Sequence, residues 1–193
     1  EWAPNEKVAL ETAYGASLYG RRAACAMKHV GLNVAADPLF TLSYTGVRGG
    51  LVVCVADDPG MHSSQNEQDS RNYAIAAKLP MLEPSDSSEA RDMAKAAFEI
   101  SEKYDTPVLL RICTRAAHSQ SIVELGERAE TGAIPYVKQP EKYIMMPAYA
   151  KRKHPVVEKR TAALTALAET TPLNRIEGPA RAALGIITSG ICY

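Results

Sequence analysis

The sequence is short of the features that mark membrane, secreted and nucleic-acid-binding proteins. No apolar run reaches the roughly 18 residues that a membrane-spanning helix needs, and no secretory signal opens the chain. Lys plus Arg and Asp plus Glu both number 22, so the formal net charge is zero. Neutral charge leaves no electrostatic attraction for nucleic acid or an acidic membrane. We therefore expect a cytoplasmic protein without either partner.

Paired cysteines and common catalytic motifs are also missing. The four cysteines, Cys25, Cys54, Cys113 and Cys192, are far apart and form no CxxC, which predicts buried free thiols in a reducing compartment. Their spacing argues against a zinc or iron–sulfur site within this chain. No GxGxxG, GxxxxGK[ST], HExxH or GxSxG is present, so we predict neither a phosphate-binding loop nor a metal site.

Short apolar runs alternate with segments of helical periodicity over the first 115 residues. Gly50 to Ala56 is a continuous apolar run, as expected for a strand buried on both faces. Alternation of this kind predicts an α/β fold with a parallel sheet. The predicted strands are 22–28, 50–56, 79–82 and 106–113, and the predicted helices are 5–20, 31–45, 71–77 and 85–103.

The second part of the chain is different in character. Residues 119–146 mix Pro, Gly, Tyr and charge, 155–169 has helical periodicity, and 184–190 is apolar like a strand. We predict a domain over 1–117, a connector with one helix over 118–180, and the start of a following α/β domain over 181–193. The chain opens at Glu1 without an initiator Met, and we expect it to be truncated at both ends.

Three segments contain side chains suited to chemistry. Glu6 opens the first helix, where it is either a simple helix-dipole acid or a carboxylate at the carboxyl edge of the sheet, where α/β proteins bind ligands. His29 and Gly31 follow a predicted strand; such a His is more often solvated or bonded to backbone than catalytic. The polar stretch 57–71 is either a mobile surface loop or a binding loop.

These segments resemble the alpha subunits of thiamine-diphosphate-dependent 2-oxo acid:ferredoxin oxidoreductases of the indolepyruvate type. The resemblance rests on residues 1–9, 27–38, 57–69, 173–177 and 185–190. It implies a three-layer parallel-sheet pyrimidine-binding domain of the thiamine-diphosphate fold, incomplete at its N-terminus, followed by a connector and the first strand of a second α/β domain.

The resemblance implies an enzyme that oxidatively decarboxylates aryl 2-oxo acids to acyl-coenzyme A and passes electrons to ferredoxin. Its implied partners are a beta subunit and a second copy of itself. Thiamine diphosphate is the implied cofactor. The full enzyme would also hold magnesium and [4Fe–4S] clusters, with ligands outside this chain, so this segment alone should have no turnover.

The resemblance also implies residue roles. Glu6 matches the glutamate that activates the cofactor by sharing a proton with N1′ of the aminopyrimidine, which requires a partly buried carboxyl. Gly31 and His29 join Glu6 as predicted cofactor-binding residues. The predicted substrate-binding residues are His29, Ser64, Asn66, Gln68 and Arg71.

Two other readings remain open. The same fold could belong to a non-oxidative thiamine-dependent decarboxylase or synthase, which cluster motifs elsewhere in the protein would exclude. It could also be a scaffold or regulatory module that has lost the cofactor. In such a module we expect Glu6 to be exposed to solvent or tied in a salt bridge.

Overall fold

A four-stranded parallel sheet forms the centre of the chain. The computed structural model describes residues 1–127, 132 and 134–193. The strands are β1 Ala23–Lys28, β2 Leu51–Asp57, β3 Met81–Leu82 and β4 Val108–Cys113. Their order in the sheet is β1-β2-β4-β3, and all three pairings are parallel.

The carboxyl ends of the strands meet at one edge of the sheet. Lys28 pairs with Ala56, and Asp57 pairs with Cys113, so three strands end almost level. The loops that follow these strands therefore lie side by side, which is the arrangement that creates ligand sites in open parallel sheets.

Eight helices are seen in the described part of the chain. Asn5 caps the first of them, accepting a hydrogen bond from the Val8 amide at 2.9 Å, which places Glu6 in the first turn. The helices are α1 Glu6–Leu18, α2 His29–Val34, α3 Ala36–Thr45, α4 Arg71–Ala77, α5 Ser87–Tyr104, α6 Thr114–His118, α7 Pro140–Tyr143 and α8 Pro147–Thr170.

Side chains on the two faces of the sheet enter separate apolar clusters. Val53 and Val55 of β2 pack on one face, and their neighbour Val52 packs on the other. This alternation buries both faces of the strand. The first cluster includes Leu10, Leu32, Leu39 and Leu109, and the second includes Met93, Ala97, Val108 and Leu110. The predicted three-layer α/β fold is confirmed.

Several predicted elements differ from those observed. The single helix predicted over 31–45 is two helices, and Pro38 lies in the first turn of the second, where its missing N–H costs nothing. The helix predicted from Pro155 begins at Pro147 and retains Pro155 in its interior. Val157 and Arg160 of this helix are buried, and this packing supports the helix past the proline.

The strand predicted over 184–190 is not observed. Residues 184–189 join no sheet in the described part of the chain. A single 3-10 turn, Gly190–Cys192, follows it. Within the predicted connector, residues 128–131 and 133 lie outside the described residues. No described helix combines the length and apolarity that crossing a membrane requires.

Candidate functional site

The Glu6 side chain lies against Gly31 at the carboxyl edge of the sheet. Glu6 is half-buried in the first turn of α1, and Gly31 is buried in α2. A Cβ atom added to Gly31 would lie 2.8 Å from both Cδ and Oε1 of Glu6. The absence of a side chain at position 31 therefore leaves the space that the Glu6 carboxyl occupies.

The Glu6 carboxylate is unusual because its oxygens have no partner among the residues that the structure describes. Among the described residues it accepts no hydrogen bond and joins no ion pair. Its neighbour Lys7 shows the contrast, since its Nζ donates to Asp37 at 2.8 Å. A partly desolvated carboxylate with no partner within residues 1–127, 132 and 134–193 is suited to bind a proton donor from outside the chain.

His29 is fully buried and contacts backbone. Its Nε2 lies 3.1 Å from the Asn66 carbonyl oxygen, and its Nδ1 lies 3.4 Å from the Ala56 carbonyl oxygen. Carbonyls only accept, and a neutral imidazole has one N–H, so the neutral ring donates to one of them. His29 thus joins the end of β2, the start of α2 and the polar loop that follows β2.

The polar loop over 58–70 is held by carboxylates at its start. The Asp58 carboxylate accepts from the Ser63 amide at 2.9 Å and from the Thr114 hydroxyl at 2.7 Å. These bonds, with the Ser64 hydroxyl nearby, hold the pKa of Asp58 well below its ordinary value. These bonds tie the start of the loop to its own residue Ser63 and to the first residue of α6.

The predicted substrate-binding residues of the polar loop and of α4 differ in what their side chains contact. Ser64 lies beside Asp58, and the Asn66 side-chain oxygen accepts from the Gln68 amide at 2.8 Å. Arg71 is exposed, and its Nε donates to both carboxylate oxygens of Asp69, at 2.8 and 3.0 Å. The structure therefore places Glu6, Gly31 and His29 around the ends of β1 and β2, with the loop residues beyond them.

A cavity of about 760 Å³ opens at the same edge, near the ends of β3 and β4. Gln68 and Arg71 line it, whereas Glu6, Gly31, His29, Ser64 and Asn66 do not. Its remaining walls come from Pro59, Glu67, Asp69, Glu83, Arg111, Cys113, Ile187, Thr188, Ser189, Ile191 and Cys192.

A buried charged cluster in this wall was missed from the sequence. Arg111 of β4 donates from Nε to Asp57 at 2.6 Å and from Nη1 to Glu83. The side chains of Asp57, Arg111 and Glu83 are 0%, 5% and 14% exposed. Burial alone would lower the pKa of Arg111, but the Asp57 bond and nearby negative charge raise it overall. The available signal was an arginine inside the apolar strand sequence Val108 to Cys113.

The four cysteines are all free. Burial raises the pKa of Cys25 to about 12 and also raises the pKa of Cys54 and Cys113. Cys192 is exposed, so the prediction of a buried thiol is wrong at that position.

The architecture and the site define a class: a parallel α/β domain with a half-buried glutamate at the carboxyl edge of its sheet. Residues 3–172 match the family model described as "Pyruvate flavodoxin/ferredoxin oxidoreductase, thiamine diP-bdg", the thiamine-diphosphate-binding domain. The chain belongs to this family.

The chain is also similar to individual relatives in sequence and to a solved structure in fold. It is 50% identical to indolepyruvate oxidoreductase subunit IorA of Pyrococcus horikoshii and 46% identical to the subunit of that name from Archaeoglobus fulgidus. Both alignments cover all of this chain, which spans only 31% of either relative.

A 2-oxoglutarate:ferredoxin oxidoreductase from Magnetococcus marinus, solved with 2-oxoglutarate, coenzyme A and succinyl-CoA bound, superimposes with a TM-score of 0.62. The superposition covers 85% of this chain and 36% of that one, at 14% identity. At that identity the likeness is one of fold.

Proposed function

We propose that this chain is the pyrimidine-binding part of an oxidoreductase that converts aryl 2-oxo acids, of the indolepyruvate type, to acyl-coenzyme A. The observation that carries the proposal is the Glu6 carboxyl, half-buried against Gly31 and without a partner in the described part of the chain. A scaffold that had lost the cofactor would have no reason to keep a carboxyl partly desolvated and unpaired. The names of the relatives support the substrate class.

Glu6 is the proposed catalytic residue. Its carboxyl would hold a proton between one of its oxygens and N1′ of the aminopyrimidine, and partial burial strengthens that hydrogen bond. The position of Glu6 in the first turn of α1 adds the favourable field of the helix N-terminus to the ionised form. Asn5, which caps the same helix, fixes the direction of that turn.

The residues of this chain fit the aminopyrimidine end of thiamine diphosphate. When bound, the cofactor supplies a nucleophilic carbon and an electron sink for decarboxylation. Gly31 would leave room for the ring beside Glu6, and His29 would hold the adjoining loop through the Asn66 carbonyl. Magnesium and the [4Fe–4S] clusters would be held by parts of the enzyme outside this chain.

The cavity beside α4 is the proposed substrate side. Arg71 and Gln68 line it and offer donors for the carboxylate and keto oxygens of a 2-oxo acid. Arg71 already binds Asp69, and because both side chains are largely exposed, this pair would exchange readily. Ser64 and Asn66 are proposed to shape the loop between the cofactor and substrate sides.

The proposed domain division is 1–117 for pyrimidine binding, 118–180 for a connector and 181–193 for the start of a further domain. The family model runs past residue 117 to residue 172, so most of the connector is a regular part of the family. The proposed partners are a beta subunit, a second copy of the alpha subunit, coenzyme A and ferredoxin, in the cytoplasm.

The test is Glu6→Gln in the full enzyme, assayed by deuterium exchange at the C2 position of bound thiamine diphosphate. Exchange should slow by about 10²- to 10⁴-fold, the usual contribution of a positioned acid or base. Glu11→Gln is the matched control, because Glu11 is exposed on the same helix. Exchange at the wild-type rate in Glu6→Gln would refute the assignment.

A further inference from the structure

Arg111 is a buried cation with no part in the proposed chemistry. We propose that it is a positioning residue for the substrate side: through Asp57 and Ser70 it fixes the start of α4 and thereby the place of Arg71. The identity of the substrate rests on the proposed function. The link from Arg111 to Arg71 rests on the geometry of the carboxyl edge of the sheet.

The first step is the pairing of Arg111 with two loops. Its Nε donates to Asp57, at the end of β2, at 2.6 Å, and its Nη1 donates to Glu83, just after β3. A guanidinium can bridge two carboxylates at fixed angles, which a lysine ammonium on a flexible stem does poorly. Both bonds are largely buried, so two of the three guanidinium nitrogens of Arg111 are engaged within the protein.

The second step is the hold of Asp57 on Ser70. The Ser70 amide donates to Asp57 Oδ2 at 3.0 Å, and the Ser70 hydroxyl donates to Oδ1 at 2.5 Å. Ser70 is the N-cap of α4, yet its side chain caps no amide of that helix. Asp57 therefore holds Ser70 by both its amide and its hydroxyl, and it closes the loop over 58–70 at its base.

The third step leads to the cavity wall. Arg71 follows Ser70 directly, so the direction of its side chain depends on where Ser70 is held. Asp69, the present partner of Arg71, also lies 4.0 Å from the Arg111 Nε. When a substrate carboxylate takes Arg71, Asp69 would still have a cation beside it, which lowers the cost of the exchange.

The experiment compares Arg111→Met, Arg111→Lys and Ser70→Ala in the full enzyme. Two quantities are measured: the split between KM and kcat for an aryl 2-oxo acid, and amide hydrogen exchange over residues 68–74. Arg22→Met is the matched control, because Arg22 forms a comparable two-point pair with Glu102 at the amino ends of the strands. Ser70→Ala removes one bond without burying an unpaired charge, so it decides the question if Arg111→Met does not fold.

The expected result is a KM rise of about tenfold in Arg111→Met, with kcat nearly unchanged. Ser70→Ala should shift KM in the same direction by a smaller factor, and Arg111→Lys should fall between Arg111→Met and the wild type. Amide exchange over 68–74 should accelerate in parallel, and Arg22→Met should change neither quantity.

Unchanged KM and unchanged exchange in Ser70→Ala would overturn the proposal. A fall in kcat alone would also overturn it, because that result would place Arg111 in the chemistry. If the enzyme oxidised no aryl 2-oxo acid, the proposed function would fail and the substrate role with it. Accelerated exchange over 68–74 would then show the Arg111–Asp57–Ser70 link by itself.

Discussion

The two edges of the sheet each hold a carboxylate against a glycine, but they use it differently. At the amino edge Asp105 lies against Gly46, where an added Cβ would be 2.7 Å from its Oδ2. Asp105 accepts from the Val47 amide and from Lys142 Nζ, at 2.9 and 2.8 Å. At the carboxyl edge Glu6 lies against Gly31 in the same way and has no partner among the described residues.

The difference separates stability from function. A paired carboxylate contributes to folding through its hydrogen bonds, and Asp105 joins the segment before β2 to α7. An unpaired, half-buried carboxylate contributes little or nothing to folding and is kept for what it binds. A substitution at Gly31 should therefore lower activity, and a substitution at Gly46 should lower stability.

The largest effect is expected from Gly31→Ala. The new methyl group would displace the Glu6 carboxyl, because it would lie 2.8 Å from Cδ and Oε1. Turnover of the full enzyme should fall by at least about a hundredfold, since a misplaced acid or base loses most of its effect. Gly15→Ala on α1 is the control: an added Cβ meets nothing within 4 Å there, so activity should be kept. Near-normal turnover in Gly31→Ala would contradict the claim that catalysis depends on the position of the Glu6 carboxyl.

Gly46→Ala should act on stability instead. Gly46 has φ +69 and ψ −166, a region essentially reserved for glycine, and the methyl group would press on Asp105. We expect a loss of about 2 kcal/mol or more in the free energy of unfolding, measured by urea unfolding. Specific activity per folded molecule should stay unchanged. A loss of activity without a loss of stability would contradict the division between the two edges.

How much of the fold and of the site the sequence predicted depends on how far apart along the chain the interacting residues lie. Local signals were sufficient for α1, because the capping Asn5 and the acidic Glu6 are adjacent, and for β2, because its apolar run is continuous. They also located Glu6 and Gly31 at the ends of elements. The contact between those two residues spans 25 positions and was not predicted; the resemblance implied only that both belong to the cofactor site.

Longer-range pairings were beyond the sequence. Arg111 and Asp57 are 54 positions apart, and their meeting depends on β2 and β4 being neighbours in the sheet. The burial of His29 between two carbonyls likewise depends on where the loop over 58–70 returns. The early start of α8 had a local signal, a proline at its first position, whereas Pro155 inside the helix suggested a later start.

A smaller, pH-dependent effect is expected at Asp58 on the carboxyl edge. Its folded pKa lies below the unfolded value of about 3.9. The stabilisation it provides is therefore present above about pH 4 and is lost as the pH falls through the folded pKa. Asp58→Asn should be less stable than wild type at pH 7, and the difference should shrink below about pH 4.

Urea unfolding at several pH values measures this effect. Asp37→Asn is the control, because Asp37 is exposed and pairs only with Lys7 among the described residues, and such pairs contribute little. A stability difference for Asp58→Asn that stays constant from pH 7 to pH 3 would contradict the role of the loop bonds.

The most direct test of the account is the structure of the full enzyme with thiamine diphosphate bound, and the quantity to read is the distance from the Glu6 carboxyl to N1′. The account predicts an oxygen of Glu6 within about 2.6–3.0 Å of N1′, a short charge-assisted hydrogen bond, with Gly31 beside it. A ring bound elsewhere, with Glu6 facing solvent or paired to another side chain, would contradict it.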